Sequence, residues 1–247
     1  MKEFLKGFKY PLTGFKLILK PGIRLFVIIP LLINALLFSL VIFFGAHEVI
    51  NLSDWLSSTW SWAEWLVWLI WPIFILVSIT IVFYCFSLVA NLIGAPFNGF
   101  LAEAVEAYLT GIKPANESGL STLPGEIIAD LKNELHKFIY FSMRAIPLLI
   151  LFIIPMVNTI IAPFVWLIFC SWLIALEYLD FPMSNHGMLF SDIRMRLKLR
   201  RGLCFGFGLG TLLLTMIPFV NFLAMPVAVT SATRLWVDQL RSGSGDG

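Results

Sequence analysis

Ile154-Pro155-Met156-Val157-Asn158, with Pro163 five residues further on, and Ile217-Pro218-Phe219-Val220-Asn221, with Pro226 at the same offset, are two copies of one phrase. Five positions of a ten-residue frame are identical. Each copy sits in 32 residues free of Asp, Glu, Lys and Arg, one from Ala145 to Leu176 and the other from Gly202 to Thr233. Proline removes an amide donor and clashes with the preceding turn, so Pro-x-x-Asn breaks a helix. A break inside an uncharged run makes a helical hairpin. Non-helical backbone at membrane depth is tolerated only where protein or a water-filled cavity covers it, so the repeat marks a pathway or a tightly packed core.

Composition identifies the solvent of these hairpins. With 59% hydrophobic and 13% charged residues and a mean hydropathy of +0.90, the chain has more apolar surface than a soluble core of 247 residues can bury. It reads as an integral membrane protein. A net charge of +2 is too small to imply nucleic acid, and no basic run carries the aromatic and Gly pattern of an RNA-binding sheet. Cys85, Cys170 and Cys204 lie singly in apolar segments, giving neither a disulfide framework nor a metal cluster. The chain has no Gly-Lys-Ser/Thr phosphate loop, Gly-x-Ser-x-Gly elbow or His-Glu-x-x-His helix, so it is read as neither ATPase nor enzyme, without metal or cofactor.

Working outward from the hairpins, two further apolar blocks emerge. Residues 25–46 follow a basic leader and would make about 33 Å of helix at about 1.5 Å per residue, enough for one crossing and too long for a cleaved signal. Residues 65–102 carry no charge, begin in a Trp belt at Trp60, Trp62, Trp65, Trp68 and Trp71, and read as one long crossing helix running to Gly94-Ala95-Pro96. In the 202–233 block the arms on either side of the break would be roughly 24 and 18 Å long, too short to span, so that hairpin is expected to be re-entrant. The 145–176 hairpin has longer arms and is open to either arrangement. The 103–144 segment reads as a helical extramembrane portion, and residues 242–247 as a linker-like tail. All of this is expected to form a single membrane domain. The fold class expected is an all-α integral membrane protein with two long transmembrane helices, two helical hairpins and a cytoplasmic-side helical portion.

Charge asymmetry orients it. Lys2, Lys6, Lys9, Lys16, Lys20 and Arg24 precede the first block, whereas 47–64 contains Glu48, Asp54 and Glu64 and no Lys or Arg. The positive-inside rule places both termini in the cytoplasm, together with the segment carrying Lys113, Lys132, Lys137 and Arg144. In 191–201 the basic residues Arg194, Arg196, Lys198 and Arg200 alternate with Met195, Leu197 and Leu199, a period of two that does not favour an amphipathic helix. Its basicity suits the headgroup region.

Three phrases in this order, Asn91-Leu92-Ile93-Gly94-Ala95-Pro96-Phe97-Asn98, Leu179-Asp180-Phe181-Pro182-Met183-Ser184-Asn185-His186-Gly187, and Ile217-Pro218-Phe219-Val220-Asn221 through Ala232-Thr233-Arg234-Leu235-Trp236, resemble the CysZ sulfate permease family. The resemblance covers about Phe8 to Trp236. It implies a multi-pass bacterial inner-membrane protein passing sulfate inward for cysteine synthesis, with two long helices and two half-penetrating hairpins. It further implies a homo-oligomer among membrane lipids, with antiparallel protomers, which would make a single orientation half right. A less selective anion channel, or a membrane scaffold without transport, are the alternatives.

Candidate chemistry begins at Lys20-Pro21-Gly22-Ile23-Arg24, just before the first crossing. Pro at a helix start, Gly permitting close backbone approach, unpaired N–H groups and a guanidinium together suit an anion. Gly22, Ile23 and Arg24 also resemble the family's Gly-Leu-Arg motif, which implies sulfate binding there. Ile23 replaces its Leu, and Leu25 stands where some relatives have a second Arg. The alternative for Arg24 is snorkelling to lipid phosphates.

Glu103 and Glu106 share a helical face and would repel a dianion unless paired, so an ion-pair network with Arg144 or Arg234 is expected; a solvated helix end is the alternative. Asn91, Asn98, Asn158 and Asn221 offer amide donors along a pathway, or each caps a turn, the favoured reading for Asn158 and Asn221. His186, in Asn-His-Gly, is assigned a structural role for want of a second ligand at metal spacing.

Overall fold

A computed structural model describes residues 1–60, 64–112 and 124–241; the side chains of 34, 64, 67, 81–96, 124–133, 218, 219 and 222 also lie outside the description. Asn91 and Cys85 as side chains, Trp62, Lys113, Lys132 and the 242–247 tail therefore fall outside the described residues. The described chain is helical, with no strand among the described residues. The helices are α1 Lys2–Lys9, α2 Pro11–Leu17, α3 Arg24–Thr59, α4 Glu64–Thr110, α5 Pro124–Ile150, α6 Ile161–Ser184, α7 Phe190–Leu199, α8 Arg201–Thr215 and α9 Pro218–Leu235, ending in a π-helical turn at Trp236–Leu240. Contacts divide the chain into two units, Leu25–Phe97 and the combination of Met1–Arg24 with Asn98–Gly247.

The Leu25–Phe97 unit holds most of α3 and the first part of α4. The first apolar block extends well past residue 46, because α3 continues through the acidic connection as far as Thr59. Pro30 is accommodated within it, and Ser53 and Ser57 return their hydroxyls to carbonyls four residues back. Most of its apolar side chains are exposed, with Leu32, Leu36, Phe43 and Phe44 more than half so, which suits a lipid solvent and no aqueous one. Backbone α4 is continuous through Gly94-Ala95-Pro96 and on to Thr110. Among the described residues, α3 and α6 are the two helices long and apolar enough to cross a membrane.

The other unit is held by close backbone approaches. A Cβ on Gly206 would fall 2.1 Å from the Phe4 carbonyl oxygen, and one on Gly208 would fall 1.7 Å from that of Ser171. Thus α8 lies directly against α1 on one side and α6 on another, the small-residue packing that serves where lipid supplies no hydrophobic drive between helices. Phe4, Gly7 and Phe8 face inward on α1 while Lys2, Lys6 and Lys9 remain exposed, an amphipathic pattern whose apolar face packs against α8. Around this contact Leu176, Leu179, Met183, Ile193, Leu197, Leu203 and Phe207 are buried as a continuous core. Arg200 links three parts of the chain: it pairs with Glu3, whose carboxyl is held below the usual range by that hydrogen bond, and it donates to the Gln239 carbonyl at 2.8 Å. Lys137 ties α5 to α6 through Asp180 at 2.5 Å.

Both repeated phrases break their helices, each differently. The first lies in a ten-residue irregular stretch between α5 and α6, where Met156 takes φ 68°. In the second the break is only Met216 and Ile217, and Pro218 starts α9 as its first residue. Proline has no amide to satisfy and its φ is preset for a helix, so it serves as well at N1 as in a turn. At about 1.5 Å per residue the arms α8 and α9 are about 22 and 27 Å long. The expectation of no amphipathic helix in 191–201 is corrected. Phe190, Ile193 and Leu197 are buried along one face of α7, while Met195 and Leu199 point outward at 64% and 82% exposure. The alternating charges concealed a 3.6-residue stripe made of fewer apolar positions.

Candidate functional site

The Lys20–Arg24 segment forms a tight turn into α3. Gly22 has φ 89°, a left-handed conformation that a side chain resists, and a Cβ there would meet nothing within 4 Å. The amides of Ile23 and Arg24 both donate to the Lys20 carbonyl at 3.1 Å. Closing the turn therefore occupies two of the three N–H groups expected to meet an anion. Ile23 buries its side chain and pins the turn, leaving Gly22 and the Arg24 guanidinium exposed. Arg24 has no ion-pair partner among the described residues.

A second polar centre forms where the Asn185-His186-Gly187 turn meets the end of α4. Gly99 and Glu106 are about two turns apart on one face of α4. Asn185 donates through Nδ2 to the Gly99 carbonyl at 3.0 Å, and His186 Nε2 lies 2.9 and 3.0 Å from the two Glu106 oxygens. Arg241 reaches Glu106 Oε1 at 3.1 Å. The carboxylate is buried and compensated on two sides. Trp236 backs the cluster, its ring 5.7 Å from that of His186 and 5.3 Å from the Arg196 guanidinium. Gly187 at φ 69° turns the chain so that the two preceding side chains both reach α4.

Glu103 stands beside this network without an ion-pair partner among the described residues. Burial first, and then the like charge of Glu106, push its carboxyl above the usual range. Asn98 is buried five residues before Glu103 on α4. The remaining candidates are dispersed. Arg144 lies 3.6 Å over the Tyr140 ring, and Arg234 meets Asp238 at 3.4 Å, so neither is the partner of Glu106. Asn158 is exposed in its turn and accepts from Thr159 Oγ1 at 3.0 Å, while Asn221 is exposed in the first turns of α9. Among the described residues no group of three or more His, Cys, Asp or Glu could hold a metal ion.

Reading residues in isolation overlooked Asn185, His186 and Arg241 as partners in this cluster. The signal was the Asn-His-Gly triplet, which places two hydrogen-bonding side chains ahead of a left-handed Gly. For His186→Ala we expect a loss of about 1.5 kcal/mol in stability, the lower end for a charge-assisted contact, because Arg241 still meets Glu106. Thermal melting of the detergent-purified protein measures it. An unchanged melting temperature would assign the Glu106 anchor to Arg241 alone.

Residues 10–226 match the family described as sulfate transporter CysZ/etoposide-induced protein 2.4. The chain is 40% identical over 242 residues to the sulfate transporter CysZ of Pectobacterium atrosepticum, covering 96% of this chain and 86% of that one. It is 41% identical over 234 residues to the sulfate transporter CysZ of Pseudomonas aeruginosa, covering 94% of this chain and 95% of that one. The residues matched by the family take in the Lys20–Arg24 turn and, of the Glu106 cluster, Gly99, Glu106, Asn185 and His186.

Proposed function

The chain belongs to the sulfate transporter CysZ/etoposide-induced protein 2.4 family, and from that membership we propose that it is a sulfate permease rather than an enzyme. The observation that carries the proposal is identity of about two residues in five, spread over almost the full length of relatives named for sulfate transport. The proposed setting is the bacterial inner membrane, multi-pass, in a homo-oligomer surrounded by lipid, with sulfate supplied inward for cysteine synthesis. Gly22, Ile23 and Arg24 are the proposed sulfate contact, Ile23 acting by anchoring the turn. Asn91, Asn98, Glu103, Glu106, Asn158 and Asn221 are proposed along the pathway or its supporting network, with Arg144 and Arg234 at its margins.

Energetics shape the mechanism. Moving two negative charges inward against 100 mV takes about 4.6 kcal/mol, equivalent to a few thousandfold in concentration at about 1.4 kcal/mol per tenfold. A passive channel needs very low internal sulfate. A proton carried with the anion would reduce the load, and Glu103, with its raised carboxyl, is the group suited to hold it. Radiolabelled sulfate flux into liposomes, under an imposed potential and separately an imposed pH gradient, tests the assignment. Sulfate flux that chloride does not match supports the permease; equal flux of many anions makes it a general channel, and no flux removes transport.

Hairpin α8–α9 is proposed to enter the bilayer and return. Its arms support this reading, since each is shorter than a hydrocarbon core of about 30 Å. A Cys placed at Ile217, in a background lacking Cys85, Cys170 and Cys204, is expected to react poorly with large membrane-impermeant thiol reagents from either side. Labelling as fast as at an exposed Ser58→Cys control would sink the re-entrant arrangement.

A further inference from the structure

Arg144, Lys198 and Arg201 converge from α5, α7 and α8 on a pocket of about 240 Å³ walled by Tyr140, Trp172 and Phe205. The aromatic wall is held in place: Trp172 Nε1 donates to the Tyr140 hydroxyl at 3.2 Å, and the Trp172 and Phe205 rings lie 5.0 Å apart. Two of the cations are positioned through backbone oxygens, Arg144 donating to the Tyr140 carbonyl and Arg201 to that of Lys198, both at 3.2 Å. Neither contact neutralises charge. Among the described residues none of the three cations has a carboxylate within ion-pair distance, and Arg194 adds a further guanidinium 5.0 Å from the Tyr140 ring. Lys137, Arg200, Arg234 and Arg241 of the same unit are paired with acids, whereas among the described residues these three cations, like Arg24, are not, and they share one pocket. An excess of unpaired positive charge around a concave aromatic wall calls for an anion.

The position of the pocket along the sequence says what the anion is attached to. Arg144 immediately precedes the uncharged run 145–176, and Arg201 immediately precedes 202–233. The cations therefore stand at the foot of both hairpins. Trp172 and Phe205 lie inside those same runs, so the pocket joins cations that flank the uncharged runs to aromatic rings that belong to them. We propose that this pocket binds a tetrahedral oxyanion carried on an apolar tail, the phosphodiester of an anionic phospholipid. Phosphate oxygens meet the guanidinium and ammonium groups, and the glycerol and upper acyl chains lie along Trp172 and Phe205. The site is separate from the Lys20–Arg24 turn, and the proposal rests on the membrane setting but not on which anion is transported.

The test is native mass spectrometry of the full chain, purified in a mild detergent and titrated with phosphatidylglycerol or phosphatidylcholine of equal chain length. One phosphatidylglycerol is expected to stay bound at concentrations where phosphatidylcholine does not. Combining Arg144→Gln, Lys198→Gln and Arg201→Gln is expected to weaken it about fivefold. Combining Lys2→Gln, Lys6→Gln and Lys9→Gln removes the same charge from α1 and should leave that first lipid in place. Equal loss from both sets, or equal retention of the two lipids, would overturn the site. Inorganic phosphate distinguishes the source: lipid that persists in millimolar phosphate supports the phospholipid, whereas phosphate binding without any lipid preference overturns it. Melting temperatures identify a triple variant that misfolds, in which case Arg201→Gln alone, at an exposed position, is read for a smaller loss of phosphatidylglycerol.

Discussion

Gly208→Ala is expected to leave little stably folded protein. Its new methyl carbon would lie 1.7 Å from the Ser171 carbonyl oxygen and 3.3 Å from Ala175 Cβ. A side chain in the way could rotate aside; a carbonyl fixed in the middle of α6 cannot. The two helices must separate along their contact, and with them goes part of the burial of Leu176, Leu179, Leu203 and Phe207. Overpacking a core takes about 1 to 3 kcal/mol where side chains can adjust, so about 3 kcal/mol or more is expected here. Gly202→Ala supplies the contrast. Its nearest neighbours would stand at 3.7 and 3.9 Å, ordinary contact distances, and replacing Gly by Ala inside a helix is worth up to about 1 kcal/mol. Melting curves in one detergent should therefore place Gly202→Ala at or above the parent and Gly208→Ala far below it. Similar melting temperatures for the two would mean that α6 and α8 do not pack backbone to backbone.

That contact was not readable from the sequence. Gly202, Gly206, Gly208 and Gly210 are visible as a run of small residues in an apolar block, but which of them faces a neighbour depends on the rotation of α8, and nothing local fixes it. What can be read is what depends on solvent alone. Charge-free runs mark the apolar blocks because a charged group in hydrocarbon is costly wherever it falls. The repeated Pro marks a helix interruption because the missing donor acts within one turn. Even so, Pro218 begins a helix where Pro155 sits in an irregular stretch, since the first turn of a helix and a break accept proline equally. Glu106 illustrates the other limit. Its need for a partner follows from its own chemistry; that the partners are His186 and Arg241, about 80 and 135 residues away, follows from tertiary folding.

Arg24→Ala is expected to weaken sulfate binding about ten- to a hundredfold while leaving the protein folded and inserted. The turn explains why the guanidinium should carry so much of the affinity. Ile23 and Arg24 have already directed their amides to Lys20, so a sulfate approaching the positive end of α3 meets the Gly22 backbone and the Arg24 side chain. Two parallel N–H groups can engage two sulfate oxygens, and a charge-assisted contact is worth about 1.5 to 3 kcal/mol, the source of the expected range. Folding should tolerate the change because the side chain is exposed and its removal strands no buried acid. Arg24→Lys keeps the charge but loses the planar fork, so it should recover only part of the affinity. Sulfate titration of the parent and both variants at fixed ionic strength, with chloride as competitor, measures the effect. Undiminished affinity in a folded Arg24→Ala protein would reduce Arg24 to an anchor for lipid phosphates, and the anion-binding site would then have to be sought away from this turn.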